Sequence, residues 1–143
     1  MFPVAVYGCE AWTKRKKEIG NIEAFEMWCW RRMMRIPWTS KVKNKDIRPK
    51  LKKEATLAEK ALRQKLVFFG HVMRGSNLEK SVMVGMGEGA RGRGRPRARW
   101  MDEVTQTTSL SLAELGRAVE DRTGWRRCVM EVTRGRPRPD STQ

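Results

Sequence analysis

From Arg91 to Arg99 every second residue is arginine, and the residues between are Gly92, Gly94, Pro96 and Ala98. No other stretch restricts the fold as tightly. Glycine and proline keep the run out of a helix, so its backbone is expected to be extended. Helices must then be built on either side of this break. In an extended chain, residues two apart share one side at a spacing of about 6.6 Å. One side of the run thus offers a row of guanidinium forks, and each planar fork donates two hydrogen bonds at once to a phosphate. The pattern implies a nucleic-acid contact through Arg91, Arg93, Arg95, Arg97 and Arg99.

Charge points the same way. The 143 residues include 31 Lys+Arg against 16 Asp+Glu, a net charge of +15. Such a chain attracts polyanions, with DNA or RNA the commonest partner. No membrane partner is expected. There is no apolar run of about 18 residues, and the opening Met1-Phe2-Pro3-Val4-Ala5-Val6 lacks the charged start and length of a signal peptide. Cys9, Cys29 and Cys128 form an odd, widely spaced set, as expected of a reduced intracellular protein.

The fold class expected is mostly α: a small helical domain of about four to five helices over residues 13–133. An extended segment (1–12) precedes it, and a disordered basic tail (134–143) follows. A first helix is expected over residues 14–36, capped by Thr13, with Ile19, Ile22, Phe25 (or Glu26), Cys29, Met33 and Ile36 along one face. Pro37 ends it. Trp28, Trp30 and Met34 lie off that stripe, so the helix is either buried on more than one side or offers a second face to a partner. Asn44 is placed to cap a short helix that Pro49 interrupts. Thr56-Leu57-Ala58-Glu59 reads as a capping box. It opens a helix with Ala58, Leu62, Leu66, Phe69 and Met73 inward and Lys60, Arg63 and Lys65 outward, ended by Gly75-Ser76-Asn77.

Residues 81–86 read as a short strand or extended link, and residues 85–99 as the basic loop. Pro96 suits the first turn of a helix over about residues 97–107 carrying Trp100 and Val104. Ser111-Leu112-Ala113-Glu114 is a second capping box, with Leu112, Leu115 and Val119 inward. Asp121 is expected to cap a last helix with Trp125, Val129 and Val132 inward. The tail repeats the loop: Arg134-Gly135-Arg136-Pro137-Arg138 echoes Arg93-Gly94-Arg95-Pro96-Arg97. Arg-Gly-Arg-Pro resembles the core of an AT-hook, whose extended arginines lie in a narrow A·T-rich minor groove. A less selective phosphate or RNA contact by the same arginines stays open beside it.

Other side chains carry less. His71 is the single histidine, and Cys9, Cys29, His71 and Cys128 are separated by 20, 42 and 57 residues, which fits no compact metal finger. No metal site, cofactor or catalytic residue is therefore expected, and His71 reads as structural. Asp102-Glu103 and Glu120-Asp121 are neighbours in sequence and read as caps and surface charges. Trp28, Trp100 and Trp125 read as core. Trp30 and Trp38 read as stacking platforms for bases, with Arg31, Arg32 and Arg35 holding phosphates. Arg134, Arg136 and Arg138 are secondary contacts. Lys14-Arg15-Lys16-Lys17 resembles a nuclear import signal, which gives an expected location inside the cell, in the nucleus.

Four blocks occur together in order. Tyr7-Gly8-Cys9-Glu10-Ala11-Trp12 looks like a Tyr-Gly-Ser-Glu-Thr-Trp segment. Residues 25–36 form a Trp/Arg-rich helix followed by Trp38. Phe68-Phe69-Gly70-His71-Val72-Met73-Arg74 matches a Phe-Phe-Gly-His block. Arg91 through Trp100 with Asp102 matches an Arg-Gly-Arg-Pro block, and Trp125-Arg126 fits a closing helix. In this order, over about residues 7–128, the blocks resemble the region downstream of the polymerase core in LINE-type (non-LTR) retrotransposon reverse transcriptases.

The resemblance implies template RNA or target DNA binding. It does not carry over catalysis. The polymerase needs paired palm aspartates for two metal ions, whereas Asp46, Asp102, Asp121 and Asp140 are scattered. Pro37 and Pro49 depart from the family's helical pattern. The chain looks like a non-catalytic, nucleic-acid-binding remnant of the element's coding region. The rival expectations are an appendage that works beside a separately supplied polymerase core, and a relic without function.

Overall fold

The computed structural model describes residues 3–51, 55–75, 78–85 and 99–134. Among these residues there are eight α-helical segments and no strand, so the chain is mostly α. The segments are α1 (Pro3–Val6), α2 (Lys16–Met33), α3 (Asn44–Ile47), α4 (Leu57–Arg74), α5 (Leu78–Val84), α6 (Trp100–Thr108), α7 (Leu112–Glu120) and α8 (Arg122–Arg134). Residues 86–98, which hold most of the expected basic loop, and the tail 135–143 lie outside the described residues.

The middle of the structure is α4, and its start is written locally. Thr56 Oγ1 accepts the N–H of Glu59 at 3.2 Å, and the Glu59 carboxylate accepts the N–H of Thr56 at 2.8 Å. A third orphan donor, the N–H of Leu57, reaches the buried carboxylate of Glu26 on α2 at 3.1 Å. A carboxylate at the positive end of a helix is favoured by the dipole, which explains an acid on the buried face of α2. The capping box at Ser111 closes in the same way, with Glu114 accepting the N–H of Ser111 at 2.8 Å. Asp121 Oδ1 accepts the N–H of Thr123 at 3.0 Å and so caps α8.

The core is one cluster: Leu62, Leu66 and Phe69 of α4, Val104 of α6, Leu115 and Val119 of α7, and Trp125 and Val129 of α8. Gly70 and Trp125 meet closely within it. The Trp125 indole donates to the carbonyl of Leu66 at 3.1 Å. A Cβ on Gly70 would lie 2.4 Å from Trp125 Nε1. The residue there must therefore be glycine for α8 to lie this close to α4. Gly70→Ala gains about 1 kcal/mol of helix propensity but forces the buried indole off its acceptor. We expect a net loss of about 1–3 kcal/mol in urea unfolding, from overpacking and an orphaned N–H. A neutral or stabilised variant would contradict this packing.

A buried charge ties the N-terminal segment to the core. Lys65 points inward on α4, contrary to the exposed position expected of it, and is fully buried. Its ammonium donates to Glu103 Oε2 at 2.7 Å and to the carbonyl of Trp12 at 3.1 Å, and sits 4.6 Å from the centre of the Trp100 ring. Trp100 Nε1 in turn donates to the carbonyl of Glu10 at 2.7 Å, and Cys9 Sγ donates to Gln64 Oε1 at 2.6 Å. Of residues 1–12, expected to be extended, the described residues 3–12 instead form α1 and a 3₁₀ turn at Cys9–Ala11 that packs on α4. The reason is that their carbonyls are needed as acceptors for buried donors. Lys65→Met leaves Glu103 without its closest cation. The expected loss is about 3–5 kcal/mol, with most of it recovered in the Lys65→Met/Glu103→Leu double variant. Equal stability of the single and double variants would refute the pairing.

Three further expectations change. Helix α2 begins at Lys16 rather than residue 14, because Arg15 is the N-cap and Glu18 accepts its N–H at 2.7 Å. Its buried face is centred on Glu26 and Met27, while Phe25, Trp28 and Met33 are exposed. The short strand or extended link expected at residues 81–86 gives way, over residues 81–84, to helix α5, which packs on α4 and α6. Its alternating Val82 and Val84 are overridden by that packing.

Candidate nucleic-acid interface

The end of α2 builds an open groove. Met34 caps the helix, the N–H of Arg35 bonds to the carbonyl of Arg32 at 3.2 Å, and that of Ile36 to Arg31 at 3.0 Å. This pair of bonds is a Schellman closure, which puts the residue after the cap in the left-handed region. Glycine is favoured there, yet the residue is Arg35, at φ 52°. Pro37 follows with ψ 153° and its carbonyl accepts the N–H of Ser40 at 3.1 Å, so the chain turns back as a 3₁₀ turn over Trp38–Ser40. Trp38 is carried on that turn with 86% of its surface exposed.

The groove holds about 430 Å³ and is lined by Trp28, Arg31, Arg32, Arg35, Ile36, Pro37 and Trp38. That lies within the ~300–1,000 Å³ of clefts that hold small ligands. Its charged lining is entirely arginine. Arg31 is the structural member: Nε and Nη2 donate to Asn44 Oδ1 at 3.1 and 3.0 Å, and Nη2 also donates to the carbonyl of Val42. Held so, its guanidinium lies 5.7 Å from the centre of the Trp38 ring. Arg32 and Arg35 are exposed, and Arg32 lies 5.8 Å from the centre of Trp28, which Phe25 stacks at 6.3 Å.

Expectation and structure part company over the tryptophans. Trp125 is buried and Trp100 half-buried, as the sequence indicates. Trp28, expected in the core, is 58% exposed and lines the groove, while Trp30, expected to stack bases, is half-buried and does not line it. The signal is present: Trp28, Arg31 and Arg32 stand at i, i+3 and i+4, which is one helix face, and Arg35 follows in the closing turn. Asn44 and Val42, which hold Arg31, have no such signal.

Arg99 is exposed and serves as the N-cap of α6, its N–H bonded to Asp102 at 2.9 Å. Arg134 is exposed at the last turn of α8, where a cation is favoured. Arg91, Arg93, Arg95, Arg97, Arg136 and Arg138 lie outside the described residues. Compared with known protein families, curated proteins and solved structures, the chain matches none. Its reading rests on its own residues.

Among the described residues, no three His, Cys, Asp or Glu side chains stand close enough to hold a metal ion, and no helix is long and apolar enough to cross a membrane. Burial pushes the Cys9 thiol up, against the pull of Lys14, and burial likewise raises that of Cys128. Neither is an activated nucleophile. His71 is exposed. In the Lys14-Arg15-Lys16-Lys17 run, Lys14 is paired with Glu103 at 3.7 Å and its side chain is 4% exposed.

Arg35→Gly separates binding from folding. Relief of a left-handed backbone worth about 1 kcal/mol is offset by the greater freedom of glycine, about 0.5–1 kcal/mol. Thermal stability should stay level or rise slightly. The salt slope of nucleic-acid binding should fall by about one unit, and an unchanged slope would remove Arg35 from the interface.

Proposed function

We propose that the chain is a nucleic-acid-binding helical module that holds phosphates through arginine and catalyses no reaction itself. The observation that carries the reading is the groove at the end of α2, where every charged lining residue is arginine and two tryptophans stand exposed beside them. Cations alone suit any polyanion; cations interleaved with open aromatic faces suit nucleic acid in particular. The run from Arg91 to Arg99 and its echo at Arg134, Arg136 and Arg138 add a second basic stretch. A net charge of +15 supplies the attractive field.

The module is proposed to be a remnant of the region downstream of the polymerase core in a LINE-type reverse transcriptase, with the nucleus as its place of action. Support comes from how the resembling blocks use one another. Trp100 bonds to the 7–12 block through Glu10, and Trp125 closes on the Gly70 block. The second reading is an appendage of a separate polymerase core, favoured by the exposed Phe25, Trp12 and Met33 on the N-terminal half.

Binding of the purified chain to duplex DNA and to single-stranded RNA across a salt series tests the proposal. Five contacts on duplex give a slope of about −4 to −5 in log K against log salt. Replacing Arg91, Arg93, Arg95, Arg97 and Arg99 together by alanine should flatten that slope by a comparable amount. A slope unchanged in that variant rejects the loop as a phosphate contact, and no binding at physiological salt rejects the function.

A further inference from the structure

We infer that the groove between Trp28 and Trp38 selects unpaired nucleic acid, taking a flipped-out or single-stranded base onto the Trp38 ring with its phosphate on Arg32 and Arg35. The inference rests on the nucleic-acid reading above and names the form of the polymer.

Three features of the groove support it. First, Trp38 is 86% exposed, so the 3₁₀ turn holds an indole almost wholly in water, where burial against the core would be the ordinary outcome. Second, the turn that carries the ring is braced: Pro37 restricts the backbone just before Trp38, and Arg31, fastened to Asn44 and Val42, stands 5.7 Å from the ring centre. A platform ordered in advance loses less entropy when a base settles on it. Third, Trp28 and Arg32 repeat the pairing of ring and guanidinium at 5.8 Å on the other side of the same groove. Each half therefore presents a π face beside a cation.

Duplex cannot use this arrangement. Its bases are stacked on each other and present only their edges in the grooves, whereas a ring 86% exposed offers its face. An unpaired base has a free face, and the phosphate beside it is within the reach expected of a neighbouring arginine. Because every base has such a face, the site should tolerate sequence. Arg31 is a positioning residue here: three of its hydrogen bonds serve the protein, and its role is to hold the Trp38 turn.

The test uses the full chain with a labelled oligo(U), a labelled oligo(dT) and a duplex of equal length, read by fluorescence anisotropy at several salt concentrations. Trp38→Ala and Trp28→Ala should each lower single-strand affinity roughly 10-fold. Duplex affinity and the salt slopes should stay as they are, since indole carries no charge. Trp38→Tyr, which keeps a ring, should recover most of the loss. Loss on either single strand supports the site, and the strand that loses more identifies the polymer. Circular dichroism of each variant separates a binding defect from a folding defect, and the Tyr variant keeps the question open to decision if Trp38→Ala unfolds. Equal losses on single strand and duplex, or no loss on either, overturn base stacking while leaving phosphate binding intact. Absence of binding to all three polymers overturns the broader function as well.

Discussion

The ammonium of Lys65 holds three parts of this chain at one point. Removing a cation from water costs several kcal/mol, so its burial demands full compensation. Glu103 supplies the countercharge, the Trp12 carbonyl a second acceptor, and the Trp100 ring a π face that gains strength once desolvated. Lys65 stands on α4, and its partners come from two other segments: Trp12 from the stretch after the Cys9–Ala11 turn, and Trp100 and Glu103 from the first turn of α6. The charge joins the buried Cys9 and the Trp100–Glu10 hydrogen bond in holding the N-terminal residues over α4. The Gly70–Trp125 contact performs the complementary task on the other partner of α4, setting how near α8 approaches.

How legible this was depends on the distance over which each signal acts. Thr56, Ser111 and Asp121 announce helix starts through bonds to residues two or three positions on, and the structure closes all three as expected. The stripes of α4 and α7 are equally local. Lys65 was misplaced because a lysine on a helix is normally solvated, and its partner Glu103 lies 38 residues away. Residues 81–86 alternate weakly like a strand, but α4 and α6 supply the contacts that decide the form of residues 81–84. Trp28 shows that residue type misleads when a helix has two faces of use: its neighbours at arginine spacing were the better guide.

The groove depends on the same helix that the core holds only in part. Glu26 and Met27 fasten the middle of α2, while its last turn is committed to Arg31, Arg35 and the reversal at Pro37. Arg35 occupies a conformation that favours glycine, a sign that the side chain matters at that position more than backbone ease. Arginine there keeps a cation at the rim, and the closure it completes directs the chain toward the turn that bears Trp38.

Helix ends open more readily than helix centres, with local free energies well below that of global unfolding. The Schellman closure at Arg35 is such an end, and with Pro37 and the bonds of Arg31 to Asn44 and Val42 it sets where Trp38 stands relative to Trp28. On warming, fraying of that last turn would scatter the two rings while the packed unit of α4, α7 and α8 remained intact. The two rings of the groove are therefore expected to lose their mutual placement at a lower temperature than the fold beneath them.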